Sequence, residues 1–322
     1  MIERRRLGRT PIEITPIGLG CWQFSGGFGL VGGFWEALAQ ETVDDIVRVS
    51  LAGGINWFDT AEAYGRGRSE KALARALGAA GRKDGDVVVA TKWWPIPRTA
   101  RSIGTTIDDR LRCLGGFSID LHQVHQPFSF SSVEAEMEAM AELVAARKIR
   151  AVGVSNFSAA RMRRAHAALG QRGIPLASNQ VRYSLVHRRI ESNGILDAAR
   201  ELGVTIIAYS PLGQGILSGR FHDDPALIRT RPGPRRHMSA FRASGLARTR
   251  PLVDEVRRIA AAREMTPSQV ALNWLLHAHG ETVVAIPGAS RPRHAEEAAG
   301  AMGFRLAPEE MSRLDELSQP FR

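Results

Sequence analysis

A (β/α)8 barrel is the fold class that this 322-residue sequence predicts, and three observations predict it. Eight short apolar runs recur from one end of the chain to the other. Stretches with helical periodicity separate them, and no Pro- or Ser-rich linker divides the alternation. Strands that are apolar on both faces and joined by crossover helices call for a parallel sheet, and eight such units close into a ring. Residues 1–322 are therefore read as a single domain.

The elements follow in order. IERRR, LGRT and PIEI read as an N-terminal β-hairpin that plugs the bottom of the barrel. Strands are expected at 14–20, 55–58, 87–91, 119–124, 149–154, 177–180, 204–209 and 282–286. Three helix starts carry their own signals: Thr42 with Asp45 three residues on, Ser131 with Glu134, and Thr266 followed by Pro267 and Gln269. After Ser131, residues Val133, Met137, Met140, Ala141 and Val144 share one helical face, and the methionines read as core filling. Two long loops stand out at the C-terminal face. One is the glycine-rich stretch after the first strand; the other, 213–250, exceeds ordinary loop length and reads as a lid or binding loop.

Composition excludes several function classes. No stretch approaches the roughly 18 uninterrupted apolar residues of a membrane span, and the start MIERRRLGRT has no apolar segment behind its arginines. Two cysteines, Cys21 and Cys113, build neither a disulfide framework nor a metal site, so a soluble protein of a reducing, cytoplasmic compartment is expected, with no metal. The net charge of +10 concentrates in 220–250, where eight arginines meet only Asp223 and Asp224. No aromatic-interleaved basic stripe accompanies it, which argues against a nucleic-acid partner. GFGLVG at 27–32 matches the dinucleotide fingerprint formally, but the preceding strand ends near Gly20 and the helix would open on Gly32-Gly33, so it reads as a flexible loop.

Chemistry in a barrel belongs at the C-terminal strand ends. Asp59 lies just beyond the second strand with Tyr64 on the loop after it, Lys92 just beyond the third, and His125 at the end of the fourth. Adjacent parallel strands are about 4.8 Å apart, so these side chains can converge. Taken singly, Asp59 is a turn residue, Tyr64 a packing residue and His125 a satisfied histidine. Lys92 is more pointed. Of the 43 basic residues only Lys71, Lys83, Lys92 and Lys148 are lysines, and a lysine after a buried strand suggests a compact ammonium that the planar guanidinium cannot replace.

FDTAEAYG, ATKWW, VHQP, GVSNF, AYSPLGQGILSG and IPGAS, in this order across almost the whole chain, resemble the aldo-keto reductase superfamily. The resemblance implies an NAD(P)H-dependent oxidoreductase that reduces an aldehyde or ketone to an alcohol. Its catalytic tetrad maps onto Asp59, Tyr64, Lys92 and His125, with Tyr64 as general acid, Lys92 lowering the tyrosine pKa, Asp59 holding the lysine and neutral His125 orienting the carbonyl. Gln126 stands where the family usually has Trp. The cofactor is expected against Gly20, Cys21, Trp22 and Asp59; at Ser155, Asn156 and Gln180 for the carboxamide; and at Tyr209 for the nicotinamide ring. Further contacts are expected from Ser210, Pro211, Leu212, Gly213 and Gln214 along the diphosphate, and from Gly288, Ser290, Arg291, His294 and Glu297 around the adenosine. Arg291 and Arg293 favour NADPH over NADH through the 2′-phosphate. Trp22, Trp93 and Phe28 are expected around a small-molecule carbonyl substrate. The family also includes cofactor-binding redox-sensor subunits with little turnover, and the absence of a peptide ahead of the hairpin favours the enzyme.

Overall fold

In the computed structural model, which describes residues 3–231 and 233–322, the chain opens on an antiparallel hairpin of β1 (Arg5–Arg6) and β2 (Glu13–Ile14). Leu7, Ile12 and Ile14 from this hairpin are buried against Trp57, Leu121 and Ile207 inside the barrel, so it forms the expected plug. Arg5, itself buried, donates to the carbonyls of Val283 at 2.6 Å and Leu276 at 2.9 Å, which pins the plug to its rim. The turn passes so close to the barrel that a Cβ on Gly8 would lie 2.5 Å from the Ala177 carbonyl oxygen.

Eight parallel strands follow: β3 (Leu19–Gly20), β4 (Trp57–Asp59), β5 (Val88–Trp93), β6 (Ile119–Val124), β7 (Ile149–Ser155), β8 (Leu176–Arg182), β9 (Thr205–Tyr209) and β10 (Val283–Ala285). Each pairs with the next, and parallel bridges Ile17↔Ala285 and Gly20↔Gly288 join the last to the first and close the ring. The expected strand at 14–20 is divided: Ile14 pairs back to Arg5, and Pro16, with no N–H to donate, separates the hairpin from β3.

The helices are α1 (Gly29–Gly32), α2 (Gln40–Ala52), α3 (Arg68–Ala79), α4 (Arg101–Cys113), α5 (Val133–Ala145), α6 (Ala159–Gly170), α7 (Ile195–Leu202), α8 (Arg220–Asp223), α9 (Ala243–Ala262), α10 (Pro267–His277), α11 (Pro292–Gly300) and α12 (Pro308–Ser318). The capping box of Thr266 and Gln269 opens α10 as expected. Ser132 rather than Ser131 caps α5, its Oγ accepting from Ala135 N; Ser131 Oγ instead accepts from the Ala100 amide at 2.9 Å. α2 begins ahead of Thr42, at Gln40, with no side-chain cap. The long loop after β9 is built mainly of single helical turns up to Phe241, and its expected last residues belong to α9.

Candidate active site

Period-two alternation sets one layer of the barrel interior. Trp57, Ala90 and Leu121 face inward, so Asp59, Lys92 and Gln123, two residues on in each strand, share the next layer toward the C-terminal face. Lys92 pairs in register with Gln123, and Ser155 with Gln180. Lys92 is fully buried, and its three ammonium protons have three acceptors: Asp59 Oδ1, the Thr60 carbonyl at 2.9 Å and the Tyr64 hydroxyl at 3.5 Å. The second carboxylate oxygen of Asp59 accepts from Gln123 Nε2 at 3.0 Å and Gln180 Nε2 at 2.9 Å. Gly153 makes room for this layer, because a Cβ there would lie 2.4 Å from Ser178 Oγ and 3.0 Å from Gln123 Cγ.

Burial pulls the Lys92 ammonium down, but Asp59 and then Tyr64 push it up and prevail, so it stays charged. For the Tyr64 phenol, burial pushes upward and Lys92 pulls downward, and burial wins. Lys92 thus pulls the phenol down in the expected direction, while burial leaves its pKa above the ordinary tyrosine value. Burial, reinforced by Lys92, holds His125 well below the usual histidine range, so its imidazole is neutral. His125 Nδ1 is buried and meets no partner; since an orphaned N–H costs more than a bare lone pair, the proton is assigned to Nε2. The His125 ring stands perpendicular to those of Tyr64 and Trp94 at centroid distances of 5.5 and 5.3 Å.

These side chains meet at one end of a cavity of about 610 Å³. Along it lie, of the expected residues, Gly20, Cys21, Trp22, Asp59, Tyr64, His125, Ser155, Asn156, Gln180, Tyr209, Ser210, Pro211, Leu212, Gln214, Gly288, Ser290, His294 and Glu297. Gly213 and Arg291 are not on its wall. Trp93 is corrected: as the next residue after inward-facing Lys92 it points outward, fully buried, its indole donating to Ser102 Oγ at 3.0 Å, and Trp94 lines the cavity instead. Phe28 is likewise a surface residue, 42% exposed, with the Arg68 guanidinium 4.1 Å from its ring centroid. Trp35 takes a place in the wall and meets Trp22 edge-on at 5.7 Å.

Asn156 adopts a left-handed conformation (φ +61) that brings its amide back to the site. Its Nδ2 donates to the His125 carbonyl at 3.4 Å, Gln126 Oε1 at 3.3 Å and Ser155 Oγ at 3.1 Å, while Oδ1 accepts from the Tyr209 hydroxyl at 3.1 Å. Gln123 escaped the sequence reading, although its position two residues before His125 on one strand puts it on the same face.

Arg220 and Arg235 lie within the stretch expected to be a lid or binding loop, although the sequence did not single them out from its other arginines. Both line the cavity together with Arg293, and Arg235 is only 2% exposed. The Nε atoms of Arg220 and Arg235 are buried without a partner, and the Arg235 guanidinium lies 4.8 Å from the Trp35 ring centroid. Burial, with Arg231 and Arg220 nearby, pulls Arg235 down to about 10. Burial and then Arg293, Arg220, Arg291 and Arg231 pull His294 down to about 4, which registers the positive field at this end of the cavity. Such uncompensated charge is complementary to an anion.

The family model for the aldo/keto reductase family matches residues 16–319. The chain belongs to that family. A Mycobacterium tuberculosis protein described as an uncharacterized oxidoreductase is 37% identical over 311 residues, 96% of this chain and 91% of the relative. A glycerol dehydrogenase from Gluconobacter oxydans superposes with a TM-score of 0.83 at 27% identity, covering 98% of this chain and 94% of its own. An aldo-keto reductase from Klebsiella pneumoniae in complex with NADPH gives a TM-score of 0.75 at 26% identity, covering 99% and 96%. Among the described residues, no helix is long and apolar enough to cross a membrane, and no group of three or more His, Cys, Asp or Glu side chains is placed to hold a metal ion.

Proposed function

We propose that the protein is an NADPH-dependent reductase of aldehydes or ketones, with Tyr64 as general acid. The observation that carries this reading is the buried Tyr64 hydroxyl, 3.5 Å from the Lys92 ammonium, with its ring edge-on to that of His125 at 5.5 Å in the same cavity. NADPH, when bound, supplies the hydride. The unpartnered Nε groups of Arg220 and Arg235, with Arg293 beside them on the cavity wall, fit its phosphates and favour the 2′-phosphorylated cofactor over NADH. The solved Klebsiella relative with NADPH supports the same choice.

Each residue then has a defined task. His125 donates from Nε2 to the substrate carbonyl oxygen and orients it, and Tyr64 delivers its proton to that oxygen as negative charge develops. The tyrosinate left behind is stabilised by Lys92, whose own charge Asp59 maintains. Gln123 and Gln180 fix the Asp59 carboxylate, so the buried ion pair cannot rotate away. Trp22, Trp94 and Trp35 make the substrate end of the cavity apolar. The test is a panel of aldehydes with NADPH oxidation followed by absorbance. Wild-type protein turns over several of them, and Tyr64→Phe loses at least about a hundredfold in kcat. Tight NADPH binding with negligible turnover of every aldehyde overturns the reading in favour of a redox sensor.

A further inference from the structure

The His125 ring is held in place without hydrogen bonds. Its Nδ1 is buried with no partner, and no hydrogen bond reaches the ring from any of the described residues. Two aromatic rings flank it instead, each nearly perpendicular to it: Tyr64, from the loop after β4, at 5.5 Å, and Trp94, from the loop after β5, at 5.3 Å. Contacts of this kind fix a ring only as firmly as the backbone beneath each partner is fixed.

Glu62 is the residue that ties those two loops together. It stands in FDTAEAYG two residues before Tyr64, is buried, and is not on the cavity wall. Its backbone N–H extends the pairing of β4 with β5 by donating to the Lys92 carbonyl at 3.2 Å. A parallel ladder would next take the Trp94 N–H to the Glu62 carbonyl. The chain turns away, that carbonyl accepts from Gly67 N, and the Glu62 side chain supplies the missing acceptor, Oε2 taking the Trp94 N–H at 3.0 Å. Oε1 accepts from Arg98 Nη1 at 2.6 Å, and the Arg98 carbonyl accepts from Phe130 N, in the loop after β6, at 2.9 Å. One carboxylate thus joins the loops that carry Tyr64 and Trp94 and, through Arg98, the segment that follows His125. We infer that Glu62 is a positioning residue that sets the aim of His125 through Trp94. That His125 is aimed at a substrate oxygen rests on the reductase reading above; the linkage from Glu62 through Trp94 to the ring does not.

The position calls for two acceptor oxygens, because two donors converge on it. An amide offers one oxygen and one donor nitrogen, and in Glu62→Gln the charged guanidinium of Arg98 takes the oxygen. Nitrogen then faces the Trp94 N–H, donor against donor, and Trp94 shifts. Wild type, Glu62→Gln, Arg98→Met and the double variant test this with benzaldehyde and NADPH. In Glu62→Gln a misaimed His125 lowers kcat about tenfold, while the Kd of NADPH stays within about twofold. Arg98→Met keeps kcat within about twofold of wild type, since the carboxylate still holds Trp94. In the double variant the amide oxygen is free for Trp94, and kcat recovers to within about threefold. An ion pair that merely braces the fold predicts the opposite: Arg98→Met as damaging as Glu62→Gln, and no recovery when the two are combined. That pattern overturns the inference.

A second readout needs no turnover. In protein labelled with 13C-histidine, the His125 Cε1–H resonance, assigned by its absence from His125→Ala, lies between two aromatic rings and responds to their movement. It shifts in Glu62→Gln and returns in the double variant; an unmoved resonance in Glu62→Gln overturns the inference whatever the rates do. If the wild-type protein oxidises no NADPH with any aldehyde, the reductase reading falls, and the resonance alone decides whether Glu62 positions the ring.

Discussion

At position 92 the side chain must fill a closed space and satisfy three acceptors that converge on one point, Asp59 Oδ1, the Thr60 carbonyl and the Tyr64 hydroxyl. An ammonium presents three donors around a single atom, whereas a guanidinium spreads five in a plane and needs more room. That requirement was legible in the sequence because this chain otherwise uses arginine so heavily. The net effect on Tyr64 was not legible, since it depends on how completely the phenol is shut away from water, a property of the closed barrel mouth and not of any local pattern. The consequence is a pH profile. Reduction needs Tyr64 protonated, which holds below its raised pKa, and His125 neutral, which holds above its depressed one. The kcat/KM for reduction is therefore level from about pH 6 to about pH 9 and falls only in stronger alkali. An acid limb centred near the ordinary histidine value would show that His125 is not neutral in the free protein.

Among the elements, the loop after β9 carries the surprise. Its sequence reads as irregular and basic, yet it winds through a succession of single turns that reach back to the loop after β3: Gly233 comes so near Phe34 that a Cβ would lie 3.0 Å from the Phe34 Cα, and Arg235 covers Trp35. Short turns of this kind are set by contacts far away in sequence, so periodicity gives no warning of them. Strands after the first, whose apolar patterns are local, and the three helix starts with capping signals were read within about two residues of their places, with the cap of α5 shifted by one where two serines adjoin, at Ser131 and Ser132. The turns matter because they bury Arg235 with its Nε unpartnered and other arginines near it. Arg235→Ala is expected to weaken NADPH binding about tenfold to a hundredfold at low salt, with the loss shrinking as salt screens the phosphates; exposed Arg229→Ala has no such effect. Cofactor fluorescence titrations at two ionic strengths measure both. Equal affinities for the two variants would return Arg235 to a structural role.

At the scale of the whole molecule, the C-terminus is held against the barrel wall by a buried arginine. Arg188 is fully buried, and each of its guanidinium nitrogens has a partner: Nε donates to Glu191 Oε1 at 2.7 Å, Nη1 to the Asp315 carbonyl at 3.0 Å and Ser318 Oγ at 2.5 Å, and Nη2 to Glu191 Oε2 at 2.7 Å and Asp315 Oδ1 at 2.6 Å. Its backbone N–H takes the Phe321 carbonyl at 2.7 Å, so the clasp joins the segment after β8 to α12 and the tail. Breaking a buried, hydrogen-bonded ion pair from one side strands the other charge, and Arg188→Met is expected to cost about 3 kcal/mol, or roughly 4–5 °C in Tm at neutral pH. The clasp also sets a pH dependence. Burial pushes the Glu191 carboxyl up, but hydrogen bonds from His279, Arg188 and Tyr183 outweigh it and hold the group well below the usual carboxylate range. An acid whose folded pKa is depressed contributes stability that is complete above its unfolded value, about 4.3, and is lost as pH falls from there toward the folded value. Wild-type Tm therefore falls as pH drops below the ordinary histidine value, where the unfolded chain protonates His125 and His294 and the folded one does not, and falls further below about pH 4.3; in Arg188→Met this last part is shallower because one of the groups depressing Glu191 is gone. Calorimetric melts across this range decide it: an acid drop as steep in Arg188→Met as in wild type would mean that other carboxylates, and not this clasp, govern the unfolding of the barrel in acid.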